Sequence, residues 1–208
     1  MTNQSSSLYD RPRHPLLVVI AGLSGAGKDS VVKKLRERDC PFFFVVTVTD
    51  RPRRPGEVDG RDYYFVTHDE FLAMSARGEL LENAVVYEQN KGIPRAHVLQ
   101  ALDSGKDVVV RVDVQGASTV KRLVPAAVTV FLTVESEEEL VLRLRARGTE
   151  SAQELKKRIK TARKELKRIP EFDYVVVNRH DQLEKAVDDV MAIMRAEHCR
   201  AVPQQVVL

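Results

Sequence analysis

A glycine-rich segment, residues 22–28 (GLSGAGK), has the residue types and spacing to bind phosphate. Apolar residues 16–21 precede it, and a segment of helical periodicity follows. Glycines let a backbone curl so that several N–H groups point at one anion, and a helix N-terminus adds partial positive charge. The spacing of Gly22, Gly27 and Lys28 therefore predicts a loop for a nucleoside triphosphate, with the lysine at the terminal phosphates. The alternative is a plain glycine turn between a strand and a helix.

A second candidate site is the proline-rich basic segment 49–57, in which Arg51 and Arg54 lie three residues apart. Planar guanidinium groups bind phosphate bidentately, and Tyr63 is near enough in sequence to add a hydroxyl. A run of charge is usually a solvated face. Here prolines stiffen the segment, and it follows a strand expected to end beside the phosphate loop, so we predict an anion site.

The order of predicted elements indicates how these segments meet. Predicted strands cover 16–21, 42–48, 63–66, 80–87, 107–113, 127–133 and 174–178, and predicted helices cover 31–37, 69–77, 95–104, 136–147, 152–168 and 183–194, with a short one after Gly116. Strands that alternate with helices predict a doubly wound parallel α/β sheet, with residues 49–95 as a small mixed insertion. Ligands bind at the carboxyl ends of parallel strands, and Asp113 lies at such an end.

The composition fits one compact domain of 208 residues. Its 33 Lys and Arg residues against 30 acids are too small an excess to indicate nucleic acid. Cys40 and Cys199 lack metal-ligand spacing, which predicts reduced thiols in a cytoplasmic protein. No apolar run is long enough to span a membrane. Residues 1–15 predict a disordered leader and lack a signal-peptide pattern, although an organelle-targeting role for them stays open.

An ordered series of motifs from about Leu16 to Met194 resembles the guanylate kinase family. The series comprises residues 22–28, 51–57, 60–66 (GRDYYFV), Glu82, 113–116 (DVQG), 140–149 (LVLRLRARGT) and 172–178 (FDYVVVN). The resemblance implies transfer of the γ-phosphoryl group of ATP to GMP or dGMP in purine nucleotide metabolism, with Mg²⁺ as cofactor. It also implies a P-loop nucleoside monophosphate kinase fold, as a monomer or homo-oligomer, with no nucleic-acid or membrane partner.

The same resemblance divides the chain and assigns residues to roles. Residues 16–48, 96–138 and 166–208 would form the core, 49–95 the GMP-binding subdomain and 139–165 a helical lid. ATP would contact Gly22, Leu23, Ser24, Gly25, Ala26, Gly27, Lys28, Asp29 and, near the adenine, Asn178. GMP would contact Thr47, Arg51, Arg54, Tyr63, Glu82, Lys91 and Asp113. The catalytic cations would be Lys28, Arg51, Arg143, Arg147 and Arg158. Glu82 would accept hydrogen bonds from guanine, and Asp113 would contact the guanine edge or the metal region.

Some residues depart from the usual family pattern. Asp29 stands where a Ser or Thr hydroxyl usually holds Mg²⁺, and its carboxylate is a candidate ligand for that ion. Asp50 replaces a threonine, Arg111 replaces an acid, and residues 90–94 (NKGIP) replace a pattern with two tyrosines. The combination resembles a cyanobacterial and plastid-type branch of the family. We predict that the Lys91 ammonium takes over the phosphate contact of a missing tyrosine, the alternative being a solvated surface lysine.

Two other functions fit parts of this pattern. A P-loop kinase acting on a ribose bisphosphate would share the phosphate loop, but it would have no purpose for a guanine-reading acid at Glu82. A non-catalytic guanylate-kinase-like interaction domain typically belongs to a longer chain with a degraded loop. Here the loop keeps Gly22, Gly27 and Lys28, so the sequence favours the enzyme.

Overall fold

The computed structural model describes residues 13–38, 42–86, 89–146 and 152–208, which form two sheets and the helices around them. The strands are β1 (Leu17–Gly22), β2 (Phe42–Phe44), β3 (Val48–Thr49), β4 (Tyr64–Phe65), β5 (Leu80–Val86), β6 (Gln89–Pro94), β7 (Asp107–Arg111), β8 (Val128–Thr133) and β9 (Tyr174–Val177). The helices are α1 (Lys28–Glu37), α2 (His68–Ala76), α3 (Arg95–Asp103), α4 (Val114–Leu123), α5 (Glu137–Ala146), α6 (Ala152–Leu166) and α7 (Leu183–His198), with a 3₁₀ turn over Ile169–Glu171.

The larger sheet has five parallel strands in the order β2-β7-β1-β8-β9, which confirms the predicted doubly wound α/β class. Every residue of β1 and β8 is buried, because apolar cores pack on both faces of the sheet. In the register, Ile20 of β1 lies between Arg111 of β7 and Val130 of β8. The carboxyl ends of these strands therefore meet at one edge, from which the glycine loop and Asp113 emerge.

The smaller sheet is mixed and has the order β4-β3-β6-β5. Its core is a small apolar cluster of Val48, Phe71 and Leu80, which ties α2 to the strands. Thr67 caps α2, because its hydroxyl oxygen accepts a hydrogen bond from the backbone N–H of Glu70 at 3.2 Å. This sheet lies beside the same edge of the larger one, and so forms the second wall of a cleft lined by residues of both sheets.

Two strand predictions differ from the structure. The single strand predicted over 42–48 is wrong: β2 ends at Phe44, Val45 still donates its N–H to the Val109 carbonyl at 3.1 Å, and the chain then joins the smaller sheet as β3. The apolar residues 42–48 do not indicate where the chain stops pairing with β7 and begins to pair with β4 and β6. The sequence also fails to predict β6, because Gly92 and Pro94 are weak strand formers, and it is the flanking β3 and β5 that pair with it.

Within the described ranges no helix is long and apolar enough to cross a membrane. Cys199 is an exposed free thiol. Cys40, Arg147 and residues 1–12 of the predicted leader lie outside the described residues.

Candidate active site

The glycine loop joins β1 to α1, as its sequence predicts. Gly22 has a φ of +133°, and a Cβ atom there would overlap the backbone carbonyl of Leu132 on β8, so a side chain is excluded at this turn. The Lys28 ammonium donates hydrogen bonds to the carbonyl oxygens of Gly22 at 2.7 Å and Leu23 at 2.9 Å. Burial lowers the pKa of Lys28 to about 8, because the cation is held away from water. An anion in the loop would relieve that cost.

Arginines of the predicted lid reach the loop from α5 and α6. Arg158 donates to the Ser24 hydroxyl at 2.7 Å. Arg143 donates to the Asn178 carbonyl at 3.0 Å, while the Asn178 side-chain amide donates to the Ala26 carbonyl at 2.8 Å. Asn178 is 4% exposed, and its amide therefore braces the back of the loop. Its predicted contact near an adenine stays a prediction.

The arginine segment is fixed by an acid within it. Arg51 is buried, and its guanidinium donates both terminal nitrogens to the Glu57 carboxylate, one of them at 2.8 Å. The same carboxylate accepts from the backbone N–H of Arg54 at 2.8 Å. Hydrogen bonding from Arg51 lowers the pKa of Glu57, so the pair is ionic at neutral pH. Sequence analysis gave Glu57 no role; the only signal was an acid three residues after Arg54.

Three cations surround the ring of Tyr63. The guanidinium carbons of Arg51 and Arg111 lie 4.8 and 5.1 Å from the ring centroid, and the Lys91 ammonium lies 5.8 Å away. Burial raises the pKa of Tyr63, which keeps the phenol a hydrogen-bond donor at neutral pH. Lys91 is half-buried and lines the cleft, and burial lowers its pKa. The positive charge is thus concentrated where the sequence predicts a nucleotide phosphate.

Glu82 lies at the floor of the cleft on β5 and is 4% exposed. Among the described residues its Oε1 atom has no hydrogen-bond partner. Burial, assisted by the negative charge of Asp113, raises the pKa of Glu82 to about 8. Gly116 makes room for both acids, because a Cβ there would lie 2.9 Å from Glu82 Oε1 and 3.0 Å from Asp113 Oδ1. Thr47 is buried and lines the same cavity.

Asp113 has a structural contact as well as a place in the cleft. Its Oδ1 atom accepts from the backbone N–H of Gly116 at 3.0 Å and so caps the N-terminus of α4. The cap fixes the carboxylate at the edge of the sheet, beside Glu82.

Most predicted site residues converge on this one cleft. The cavity wall includes Gly22, Leu23, Ser24, Gly25, Gly27, Lys28, Asp29, Thr47, Arg54, Tyr63, Glu82, Lys91, Asp113 and Arg158. Arg51 lines an adjoining cavity that shares Arg54 and Tyr63 with the first. The predicted residues Ala26, Arg143 and Asn178 lie behind the loop, outside both walls.

Asp50 and Asn90, which depart from the family pattern, contact each other. Asp50 Oδ1 accepts from the backbone N–H of Asn90 at 2.7 Å, and its Oδ2 accepts from the Asn90 side-chain amide and contacts His68 Nδ1 at 2.9 Å. The pair lies 40 residues apart in sequence and joins the arginine segment to β6. Arg51 and Lys91 are their next neighbours along the chain, so this pair fixes the backbone that carries both cations.

Asp29 and Arg111, the other two departures, form an ion pair whose closest atoms are Oδ1 and Nη1. Arg111 ends β7 with its side chain 21% exposed, whereas the Asp29 side chain is 69% exposed. An acid at 111 would meet Asp29 as a like charge, so the two departures compensate each other. Neither the pair nor its meaning can be found from spacing, because 82 residues separate its members.

The donor set of the cleft fits Mg²⁺ in one respect. No group of three or more His, Cys, Asp or Glu side chains in the described part of the chain is arranged to hold a metal. Mg²⁺ usually needs only one or two carboxylates, with the remaining oxygens coming from phosphates and water. Asp29, exposed at the start of α1, meets that requirement.

Glu165 is a cleft residue that sequence analysis missed. It lies on the basic helix α6, and its Oε2 atom is buried without a hydrogen-bond partner among the described residues. Burial raises its pKa to about 7, against the opposing charge of Lys28. The only sequence signal was an acid near the C-terminal end of a lysine-rich helix.

The fold and this cleft define a class: a P-loop protein of the phosphotransferase kind, with two clusters of cations and a buried acid between its walls. The family model for guanylate kinase matches residues 14–197. The chain therefore belongs to the guanylate kinase family, whose enzymes transfer the γ-phosphoryl group of ATP to GMP. The resemblance seen in the sequence motifs is thereby confirmed.

Individual relatives agree with this assignment. The chain is 49% identical over 200 residues to guanylate kinase 2, chloroplastic/mitochondrial, of Oryza sativa, covering 96% of this chain and 70% of the rice protein. It is 43% identical to a guanylate kinase of the cyanobacterium Synechococcus, covering 89% of this chain and 86% of that one. A crystal structure of guanylate kinase from Anaplasma phagocytophilum aligns with a TM-score of 0.75 at 30% identity, covering 91% and 89% of the two chains.

Proposed function

We propose that the cleft of this chain binds GMP and ATP at its two ends and aligns them for direct phosphoryl transfer. The ATP phosphates would lie in the loop 22–28, against its backbone N–H groups and the N-terminus of α1. Lys28 would leave its loop carbonyls for the terminal phosphates. Asp29 would hold Mg²⁺, which when bound supplies positive charge to the phosphate oxygens.

GMP would occupy the end walled by the smaller sheet. Arg51, Arg54, Tyr63 and Lys91 would hold its phosphate. Glu82 would accept from the guanine N1–H and 2-amino groups, with Thr47 near O6 and Asp113 at the guanine edge or the metal region. Residues 49–95 would thus act as the GMP-binding subdomain of the core formed by 16–48, 96–138 and 166–208.

The observation that carries this proposal is the buried Oε1 atom of Glu82, which has no hydrogen-bond partner in the described chain. An unsatisfied acceptor at this depth costs about 1–3 kcal/mol, and a ligand that donates to it recovers that cost. Guanine offers two adjacent donors on its Watson–Crick edge, whereas adenine cannot offer the same pair. The Glu82 carboxyl also shares its cavity with the cations beside Tyr63, whose positive charge complements a phosphate.

Phosphoryl transfer needs the two phosphates in line and their negative charge neutralised, with little covalent help from protein. Lys28 and Arg51 would supply charge from the cleft wall, and Arg143, Arg147 and Arg158 from the lid 139–165. Closure of the lid would exclude water that would otherwise hydrolyse ATP. No general base is required, because the attacking group is a phosphate oxygen that is already ionised.

A coupled assay for ADP release tests the proposal, with GMP, dGMP, AMP and a ribose bisphosphate as acceptors. We expect GMP and dGMP to be phosphorylated, and AMP to be poorer by about 10⁴-fold, the scale set by leaving buried polar groups unpaired. Glu82→Gln should narrow the GMP-to-AMP ratio, and the exposed acid Glu138→Gln is the matched control. An unchanged ratio in Glu82→Gln would remove the base-reading role from this residue.

A further inference from the structure

Arg111 occupies the junction of the two cavities. It is the last residue of β7, paired in register with Ile20 two residues before the glycine loop. The same side chain lines the cavity that holds the loop and Glu82, and the adjoining cavity that holds Arg51. It therefore stands between the proposed sites of the two phosphates that must meet.

The contacts of Arg111 hold its guanidinium in that place. Asp29 pairs with it from the first turn of α1, and the Tyr63 ring lies 5.1 Å from its central carbon. The side chain is 21% exposed, so most of its surface is packed against other residues. An arginine packed against an aromatic ring and held by one carboxylate is pre-organised, because its planar fork has already lost most of its rotamer freedom.

The electrostatic surroundings of Arg111 favour a polyanion. Burial is the main cause of the lowered pKa of Lys28, and the positive charge of Arg111 lowers it further. Burial likewise lowers the pKa of Arg111 itself to about 10, although it stays protonated at neutral pH. The like charges of Lys28 and Arg111 repel each other in the unliganded cleft, and a phosphoryl group between the two cations would attract both.

We propose that Arg111 is a catalytic residue of this chain, whose guanidinium contacts the phosphoryl group during its transfer from ATP to GMP. The inference rests on the proposed function, in which ATP and GMP occupy the two ends of the cleft. A terminal oxygen of the GMP phosphate forms a bond to the γ-phosphorus, and the bond from that phosphorus to the β–γ bridging oxygen breaks. The bonding electron pair leaves on ADP, and total charge is conserved.

The charge on the transferred group spreads over its three equatorial oxygens at that moment, so a fixed fork of N–H donors gains strength there more than in the ground state. The usual family pattern has an acid at this position and a hydroxyl at 29, and so places no cationic side chain here. In this chain Arg111 supplies a positive side chain at that place, and Asp29, on the wall of the same cavity, is its carboxylate partner. Arg111 would then share the neutralisation that the lid arginines supply from the opposite side.

Steady-state kinetics on Arg111→Met and Arg111→Lys test the inference, with Arg122→Met, an exposed cation of α4, as the matched control. We expect Arg111→Met to lower kcat about 10²–10³-fold, the loss typical of one pre-organised transition-state donor. The KM values for GMP and ATP should change by less than about threefold, because the contact forms in the transition state. Arg111→Lys should recover only part of the kcat, since it restores the charge without the fork.

Isothermal titration with GMP alone, and with GMP, ADP and aluminium fluoride together, provides a second readout. Arg111→Met should bind GMP as the parent does and lose most of its affinity for the fluoride-trapped complex, which mimics the transferred group. A kcat within threefold of the parent, or a rise in the GMP KM with unchanged kcat, would overturn the inference. If Arg111→Met melts well below the parent, Arg111→Lys decides: full activity there refutes a geometric role. A parent chain that fails to phosphorylate GMP would instead refute the proposed function.

Discussion

Binding of GMP should release a proton from Glu82, and the structure sets the size of the effect. Burial and the charge of Asp113 raise the pKa of this carboxyl from 4.5 to about 8. At pH 7 only about a tenth of the free protein then carries the ionised form. Guanine presents two donors to Glu82, so the ionised form, which accepts from both, is the one that binds. Below about pH 8, each decrease of one pH unit should therefore weaken GMP binding about tenfold, or by about 1.4 kcal/mol.

Isothermal titration of GMP into the parent and into Glu82→Gln between pH 6.5 and 9 would measure this linkage. Repeating each titration in buffers of different ionisation enthalpy counts the protons released. The GMP phosphate titrates near pH 6 in both proteins, so the difference between the two pH profiles isolates Glu82. The exposed acid variant Glu138→Gln serves as the control and should follow the parent.

The same shift predicts how the unliganded protein responds to pH. A carboxyl whose folded pKa lies above its unfolded pKa binds more protons when folded, so stability is lost as pH rises from about 4.5 to 8. The shift corresponds to about 5 kcal/mol once both states are ionised. Glu82→Gln should thus unfold at a higher denaturant concentration than the parent at pH 8.5, with a smaller gap at pH 5. Parallel pH profiles for the two proteins, in binding and in stability, would refute the assignment.

Lys28→Ala should lower kcat by at least about 10²-fold, because it removes a positive charge from the transferred phosphate. The melting temperature should stay within a few degrees of the parent, because burying this ammonium carries a desolvation cost that offsets its hydrogen bonds. A folded variant with the kcat of the parent would show that the loop has no part in catalysis. Lys91→Ala should raise the GMP KM about tenfold or more, the loss of a charged hydrogen bond of about 1.5–3 kcal/mol, and leave the ATP KM unchanged. Lys91→Tyr should keep activity with less salt dependence of that KM, and an unaltered KM in the alanine variant would contradict the contact. Asp50→Ala should raise the GMP KM and lower the unfolding free energy by about 1–3 kcal/mol, since it strands the donors of Asn90. An unchanged KM would show that Asp50 does not position Arg51.

The sequence predicts the larger sheet well, because each of its strands is a local apolar run and burial on both faces needs no further information. It fails where pairing is decided by distant segments. The residues 42–48 form one apolar run, yet the hydrogen bonds of Phe44 and Val48 go to different sheets. β6 contains Gly92 and Pro94 and is a strand because β3 and β5 flank it.

The candidate site divides in the same way. Residue types and motif order are enough to predict that Lys28, Tyr63 and Glu82 lie in one cleft. The partners that fix those residues are not legible in the sequence, because Asp50 meets Asn90 and Asp29 meets Arg111 across long stretches of chain. Each of these four residues departs from the family pattern. The structure shows that they form two contacting pairs, so the two departures within each pair compensate each other.

Gly22 has an evolutionary consequence that differs from that of Lys28. A side chain at Gly22 would collide with the backbone of β8 at Leu132, so the glycine is needed to close the central sheet whether or not a nucleotide ever binds. The Lys28 ammonium bonds to the carbonyls of Gly22 and Leu23, so replacing the lysine removes two hydrogen bonds but forces no overlap with a strand. In descendants of such a fold that have lost catalysis, selection should hold the first glycine long after the lysine has drifted. The glycine then indicates descent from this fold, and the lysine indicates that catalysis has been retained.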